Sequence, residues 1–186
     1  MEEFWDEKNG GFFYTGDSHE HLITRSKSAY DGAIPSGNSV AVMNLLRLAR
    51  LTGDEDLTAK AETVLKLFSE QLEQTPTGLA QMLCALDFYL GDPMEIAVVG
   101  RRDDPETGEI IRTIRDCYIP NKILVFFDPE NDPKELEDSI PLLRGRTTNE
   151  GKPVVYICKD YVCKAPITDV GVLKEALSGK REGSMS

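Results

Sequence analysis

The side chains best placed to do chemistry gather in two short stretches. In YDGAIPSGN, residues 30 to 38, Asp31 could serve as acid, base or acceptor of a sugar hydroxyl. Ser36 and Asn38 would be its hydrogen-bonding partners, with Tyr30 beside them. The same residue types also make turns and cap helices, so Asp31-Gly32 fits a turn and Ser36 or Asn38 an N-cap. Arg25 and Lys27 could meet a carboxylate or phosphate, or simply form a solvated face. Phe12, Phe13 and Tyr14 could stack on a sugar ring, or anchor a hairpin after Asn9-Gly10.

The second stretch holds Cys158 and Cys163, separated by KDYV. A turn there would bring the sulfurs within disulfide range or poise a thiol pair for exchange. The spacing is not CxxC, and free cysteine is often a packing residue, so a buried structural pair is the plainer expectation. Cys84 and Cys117 also read as packing residues.

DSHEH, residues 17 to 21, contains the two histidines of the chain and two carboxylates. A His-x-His pair could ligate a metal or supply a general base, but no third ligand has evident spacing, so the expectation is an exposed loop, no metal and no cofactor. In VVGRRDDPETG, residues 98 to 108, Arg101 or Arg102 could face an anion at the end of a strand. One glycine without a phosphate-loop pattern reads as a plain strand-to-helix turn.

The elements that must position these groups change character near residue 92. Residues 39 to 52 are apolar except for a strip of Asn44, Arg47 and Arg50, which predicts a helix surrounded by protein. Residues 55 to 73 place Leu57, Ala61, Val64, Leu65, Phe68 and Leu72 on one side, as an outer helix does. A third helix opens at Thr75 as its N-cap, with Pro76 in the first turn, and is stopped by Gly91, Asp92 and Pro93. Beyond it, EIAVVG, KILVFFD and PVVYIC read as strands covered on both faces. Amphipathic segments at 105 to 117 and 136 to 143 lie between them, and a last helix over 169 to 177 follows Thr168 as its N-cap. The expected architecture is α/β overall: all-α hairpins over 1–92, then a small, mostly parallel, three-layer α/β domain over 93–178, and a disordered tail over 179–186.

At 186 residues with a net charge of -11, the chain excludes a nucleic-acid backbone or an anionic membrane as partner. No run approaches the length of a membrane span, and the expected setting is cytoplasmic with reduced thiols.

The segments GGFFYTGDSHEHL, YDGAIPSGNSVAVMNLLRLARLTGD and YICKDYVCKAPITDVGVLKEAL resemble, in that order, the C-terminal part of the YyaL-like family, which includes the spermatogenesis-associated, thioredoxin-domain-containing proteins. The resemblance implies a longer parent with a thioredoxin-like domain, an (α/α) six-hairpin-glycosidase-like toroid and a C-terminal α/β segment. It places residues 1–92 at the end of the toroid and implies that the chain is a fragment, not catalytic alone. In the intact parent, Tyr30, Asp31, Ser36, Asn38, Arg25 and Lys27 would rim a cavity for a carbohydrate or small polar ligand. Alternatively Cys158 and Cys163 would form a thiol-redox or interaction module, or the α/β part would be purely structural. Helices lacking their toroid neighbours would expose apolar surface and promote self-association.

Overall fold

A computed structural model describes residues 3–18, 24–159 and 162–178. The chain divides into two compact units, Met1–Gly91 and Asp92–Ser186.

The first unit opens with a hairpin-like turn. Asp6 accepts from the backbone N–H of Lys8 and Asn9, and Gly10 and Gly11 take the left-handed backbone that the reversal demands. Trp5 and Phe12 then pair as an isolated antiparallel bridge, their rings edge to face at 5.1 Å. Four helices follow: α1 (Gly37–Thr52), α2 (Glu55–Leu67), α3 (Ser69–Gln74) and α4 (Ala80–Leu90). Ser36 caps α1 by accepting from Ser39 N–H, left-handed Gly53 ends it, and Asp54 caps α2. Val42, Leu45, Leu46 and Ala49 of α1 are buried, as are Ala61, Val64 and Leu65 of α2 and Met82, Ala85 and Phe88 of α4. α1 packs on α2 and α4. Each large apolar side chain buried there contributes about 1.5–3 kcal/mol.

Three expectations change in this unit. The second helix is interrupted at Phe68, whose backbone leaves the helical region, and resumes as α3. Thr75 does not cap the third helix: Pro76–Gly78 forms a 3-10 turn, and α4 begins without a side-chain cap from its own segment. Residues 39 to 52 are also less enclosed than their composition predicts, since Val40 and Leu48 of α1 remain 40% and 46% exposed.

The second unit runs β1 (Met94–Val99), α5 (Pro105–Asp116), β2 (Lys122–Phe127), α6 (Glu135–Ser139), β3 (Val154–Lys159), β4 (Val162–Cys163) and α7 (Val170–Leu177). Its sheet has the order β2-β1-β3-β4. β1 and β2 are parallel, with Glu95 opposite Ile123 and Val99 opposite Phe127. β3 is antiparallel to β1, and β4 to β3. The expected mostly parallel sheet is therefore mixed. The stretch between β2 and β3 holds the short α6 and a 3-10 turn, Pro141–Leu143, in place of a long crossover helix, and β3 enters on the other side of β1 from β2, running against it.

The three layers are present. Ile96, Val98, Val155 and Ile157 cover one sheet face beneath Ile110 and Ile114 of α5 and Leu173 and Leu177 of α7. Ala97, Val99, Phe127, Val154, Tyr156 and Cys158 cover the other, beneath Leu142 and Leu143 with Leu136 and Ile140. Asp104 caps α5, and Asp169, not Thr168, caps α7. No helix among the described residues is long and apolar enough to cross a membrane.

Candidate functional site

The loop before α1 is built around Asp31 and Asn38. One Asp31 carboxylate oxygen accepts from Ser36 N–H at 2.8 Å. The other accepts from Gln81 N–H at 2.8 Å and Met82 N–H at 3.2 Å, so Asp31 supplies the cap that α4 lacks locally. Asn38, 2% exposed, accepts from Phe12 N–H at 2.7 Å and donates to the carbonyls of Phe12 and Ser28. Ser36 is buried and its hydroxyl lies 2.8 Å from that of Ser39. Tyr30 is two-thirds exposed, its ring close to Gly78. The loop's polar side chains are thus brought together, and they spend their hydrogen bonds on backbone.

Arg25 and Lys27 are engaged as well. Arg25 donates to the carbonyls of Thr15 and Glu3, pairs with Asp17 and lies over the Phe13 ring at 4.1 Å. Lys27 Nζ is 2.7 Å from both Asp6 Oδ2 and Gly10 O. The Lys27 ammonium, with the Asn9 side chain, holds the Asp6 carboxyl far below the usual carboxylate range. Phe4, Phe12, Phe13, Tyr14, Gly37, Asn38 and Ala41 line a neighbouring open cavity of about 430 Å³.

In the second unit Cys158 and Cys163 are directly opposed across β3 and β4 and joined as a disulfide. That replaces the expected reduced pair, and its cause is register: opposed residues of an antiparallel pair share a face, and here the two Cα atoms lie 3.9 Å apart. Cys158 is buried and Cys163 half-buried. Arg146 Nη2 donates to Cys163 Sγ at 2.7 Å, and its guanidinium lies over the Tyr156 ring at 4.8 Å. The Tyr156 hydroxyl bridges the carbonyl and N–H of Thr147, fixing the loop that carries Arg146. Cys84 and Cys117 are free; Cys117 is half-buried beside α5, whereas Cys84 is exposed and does not pack as expected.

The strand-to-helix turn after β1 is self-contained. Arg101 forms two hydrogen bonds with Asp103, and Arg102 pairs with Asp132. Asp128, fully buried, accepts from Arg102 N–H and Glu130 N–H, and these bonds with that of Asn131 hold its carboxyl below the usual range. Among the described residues no group of three His, Cys, Asp or Glu could hold a metal. Of DSHEH, Asp17 pairs with Arg25, while His19, Glu20 and His21 lie outside the described residues, as does the tail over 179–186.

Two residues of the cysteine site carry no local sequence signal. Arg146 lies in an irregular loop, and Glu95 reads as the polar flank of an apolar run. Only pairing reveals that Glu95, fully buried, stands directly opposite Cys158.

A helical unit joined to a mixed α/β unit with an edge cysteine pair defines the class of this protein. The chain is 35% identical over 176 residues to spermatogenesis-associated protein 20 of Homo sapiens, and equally to that of Rattus norvegicus, covering 94% of the chain and 22% of each relative. An uncharacterized protein of Caenorhabditis elegans is 28% identical over 173 residues, 93% of the chain and 23% of that protein. The chain is homologous to part of spermatogenesis-associated protein 20 and spans about a fifth of the length of the relatives it matches. No protein-family model matches it, and no solved structure does.

The loop geometry makes Asp31→Asn destabilising by about 1–3 kcal/mol, because an amide presents one acceptor and a donor to three N–H groups. The urea midpoint should fall with an unchanged slope; a midpoint at the wild-type value would contradict the capping role. The Asp6–Lys27 pair predicts acid sensitivity. A carboxyl lowered on folding contributes stability that is full above its unfolded value and lost as the pH falls below it, about pH 4. The destabilisation by Lys27→Met, followed by circular dichroism, should therefore narrow below about pH 4, and a gap independent of pH would refute it.

Proposed function

We propose that the α/β unit is a thiol–disulfide module in which Cys158 and Cys163 cycle between dithiol and disulfide. The observation that carries this reading is the guanidinium of Arg146 set against the sulfur of the less buried cysteine. A cation there favours the thiolate, the nucleophilic form, of Cys163. Cys158, buried beneath it, is then the resolving thiol.

The bridge also does little for the fold. It spans a sequence separation of 5, so the chain-entropy it removes from the unfolded state is worth roughly 2 kcal/mol, against about 4.7 for a loop of a hundred residues. In the exchange, the Cys163 thiolate attacks one sulfur of a partner's disulfide and expels the other as a thiolate. Cys158 then attacks Cys163 Sγ, closing the intramolecular bridge and releasing the partner's second thiolate. Two electrons pass to the partner, and the protons lost by the two cysteines balance those its thiolates take up. The thioredoxin-like domain implied by the family resemblance would be a partner of the right chemistry.

Equilibration in glutathione buffers, followed by alkylation and mass spectrometry, tests this. The pair should interconvert with a midpoint above about -270 mV, and Cys158→Ser should accumulate a mixed disulfide at Cys163. A bridge that stays oxidised below about -300 mV would identify a structural disulfide and end the proposal.

A second reading rests on the aromatic cavity of the helical unit. Its exposed Tyr14 ring with Phe13 suits the apolar face of a sugar, and the exposed Val40 and Leu48 are where further protein, a second copy or the rest of a parent, would close around α1. Mono- and oligosaccharide titrations observed by NMR should perturb Tyr14 and Asn38, and Tyr14→Ala should abolish the effect. Shifts elsewhere, or none, would reject it.

A further inference from the structure

Cys158 lies in a row of three. Glu95 on β1 is the register partner of Cys158 on β3, which is the partner of Cys163 on β4. Directly opposed residues share a face of the sheet. Alternation places Glu95 with Ala97 and Val99, the face on which Tyr156 and Cys158 also lie. Glu95 is fully buried, although an apolar residue would satisfy the sheet at lower cost.

We infer that Glu95 is the proton acceptor and donor for the buried thiol of Cys158. This inference rests on the thiol–disulfide reading and assigns its second step. When Cys158 attacks Cys163 Sγ in the mixed disulfide, a buried thiolate cannot form in advance without solvation, so its proton must leave as the sulfur–sulfur bond forms. Glu95 takes that proton. In the reverse direction an external thiolate attacks the more accessible Cys163, and protonated Glu95 delivers the proton to the departing Cys158 sulfur. Electrons move only among sulfurs, and the carboxyl returns to its starting state by exchange with solvent.

Among the described residues, other ionisable groups stand on or beside this face. Tyr156 holds Thr147 through its hydroxyl, and Arg146 donates to Cys163. Glu135, Glu137 and Asp138 belong to α6, whose Leu136 packs on this face, and none of the three is buried. β2 contributes Ile123, Val125 and Phe127. Lys159 alternates to the other side of β3 and pairs with Asp92.

The experiment uses the full chain carrying Cys84→Ser and Cys117→Ser, reduced and mixed with an aromatic disulfide whose thiolate is coloured. Two releases are expected, the first for attack by Cys163 and the second for resolution by Cys158. Glu95→Gln should leave the first rate unchanged and slow the second about a hundredfold at pH 7, a loss typical of general acid–base catalysis. Its second phase should then rise about tenfold per pH unit, as thiolate supply dictates, whereas the wild-type phase stays nearly flat between pH 6 and 8. The wild-type profile tests the inference even if the variant does not fold: a tenfold rise per unit there overturns it, as does an unslowed second phase in folded Glu95→Gln. Absence of any second release in the wild type refutes the thiol–disulfide reading itself.

Discussion

A loop can leave water only if its backbone groups find other partners, and both units depend on how that demand is met. In the helical unit Asn38 closes the account for three strands of chain at once, using its carbonyl on Phe12 N–H and its amide on two carbonyls. Asp31 does the same for the loop and for the start of α4. In the sheet unit Asp128 ties the turn after β1 to the turn after β2, and Tyr156 ties down the loop before β3. Each is a polar side chain whose interior position is tolerable because it is saturated by backbone. The residue types that suggest catalysis are the same ones that solve this problem, and here geometry separates the two uses.

Much of the fold was legible because hydrophobic period and capping chemistry are local. The strands at 94–99, 122–127 and 154–159 follow from short β-branched runs, and the start of α1 from Ser36. What was hidden is non-local. No pattern within residues 76 to 80 reveals that the cap of α4 arrives from Asp31, fifty positions earlier. The direction of β3 is set by its pairing with β1, which no pattern in residues 128 to 153 shows, and the shortness of α6 is visible only once Ile140 and Pro141 are seen to break it.

The cysteine pair shows the same division. Its spacing was compatible with a turn, but neither the disulfide nor its neighbours could be read from spacing alone. Glu95, Cys158 and Cys163 are separated by 63 and 5 positions, and only the antiparallel register brings them into one row. A buried acid at the start of an apolar run is indistinguishable in sequence from a solvated strand end. Arg146 is further out of reach, since its approach to Cys163 depends on Tyr156 fixing Thr147.

Placement at the sheet edge also separates the bridge from the core. β4 contributes two residues, and the buried clusters on both faces of the sheet are built from the other three strands and their helices. Cutting the bridge leaves those cores closed, and the isolated pairing of Val155 with Ile167 still holds the segment beyond β4 against β3. A bond joining two core strands would have to strain the sheet to open. One joining a core strand to a two-residue edge leaves the strand that carries Glu95 outside the bridge, so the register that sets the acid opposite the buried sulfur does not depend on β4.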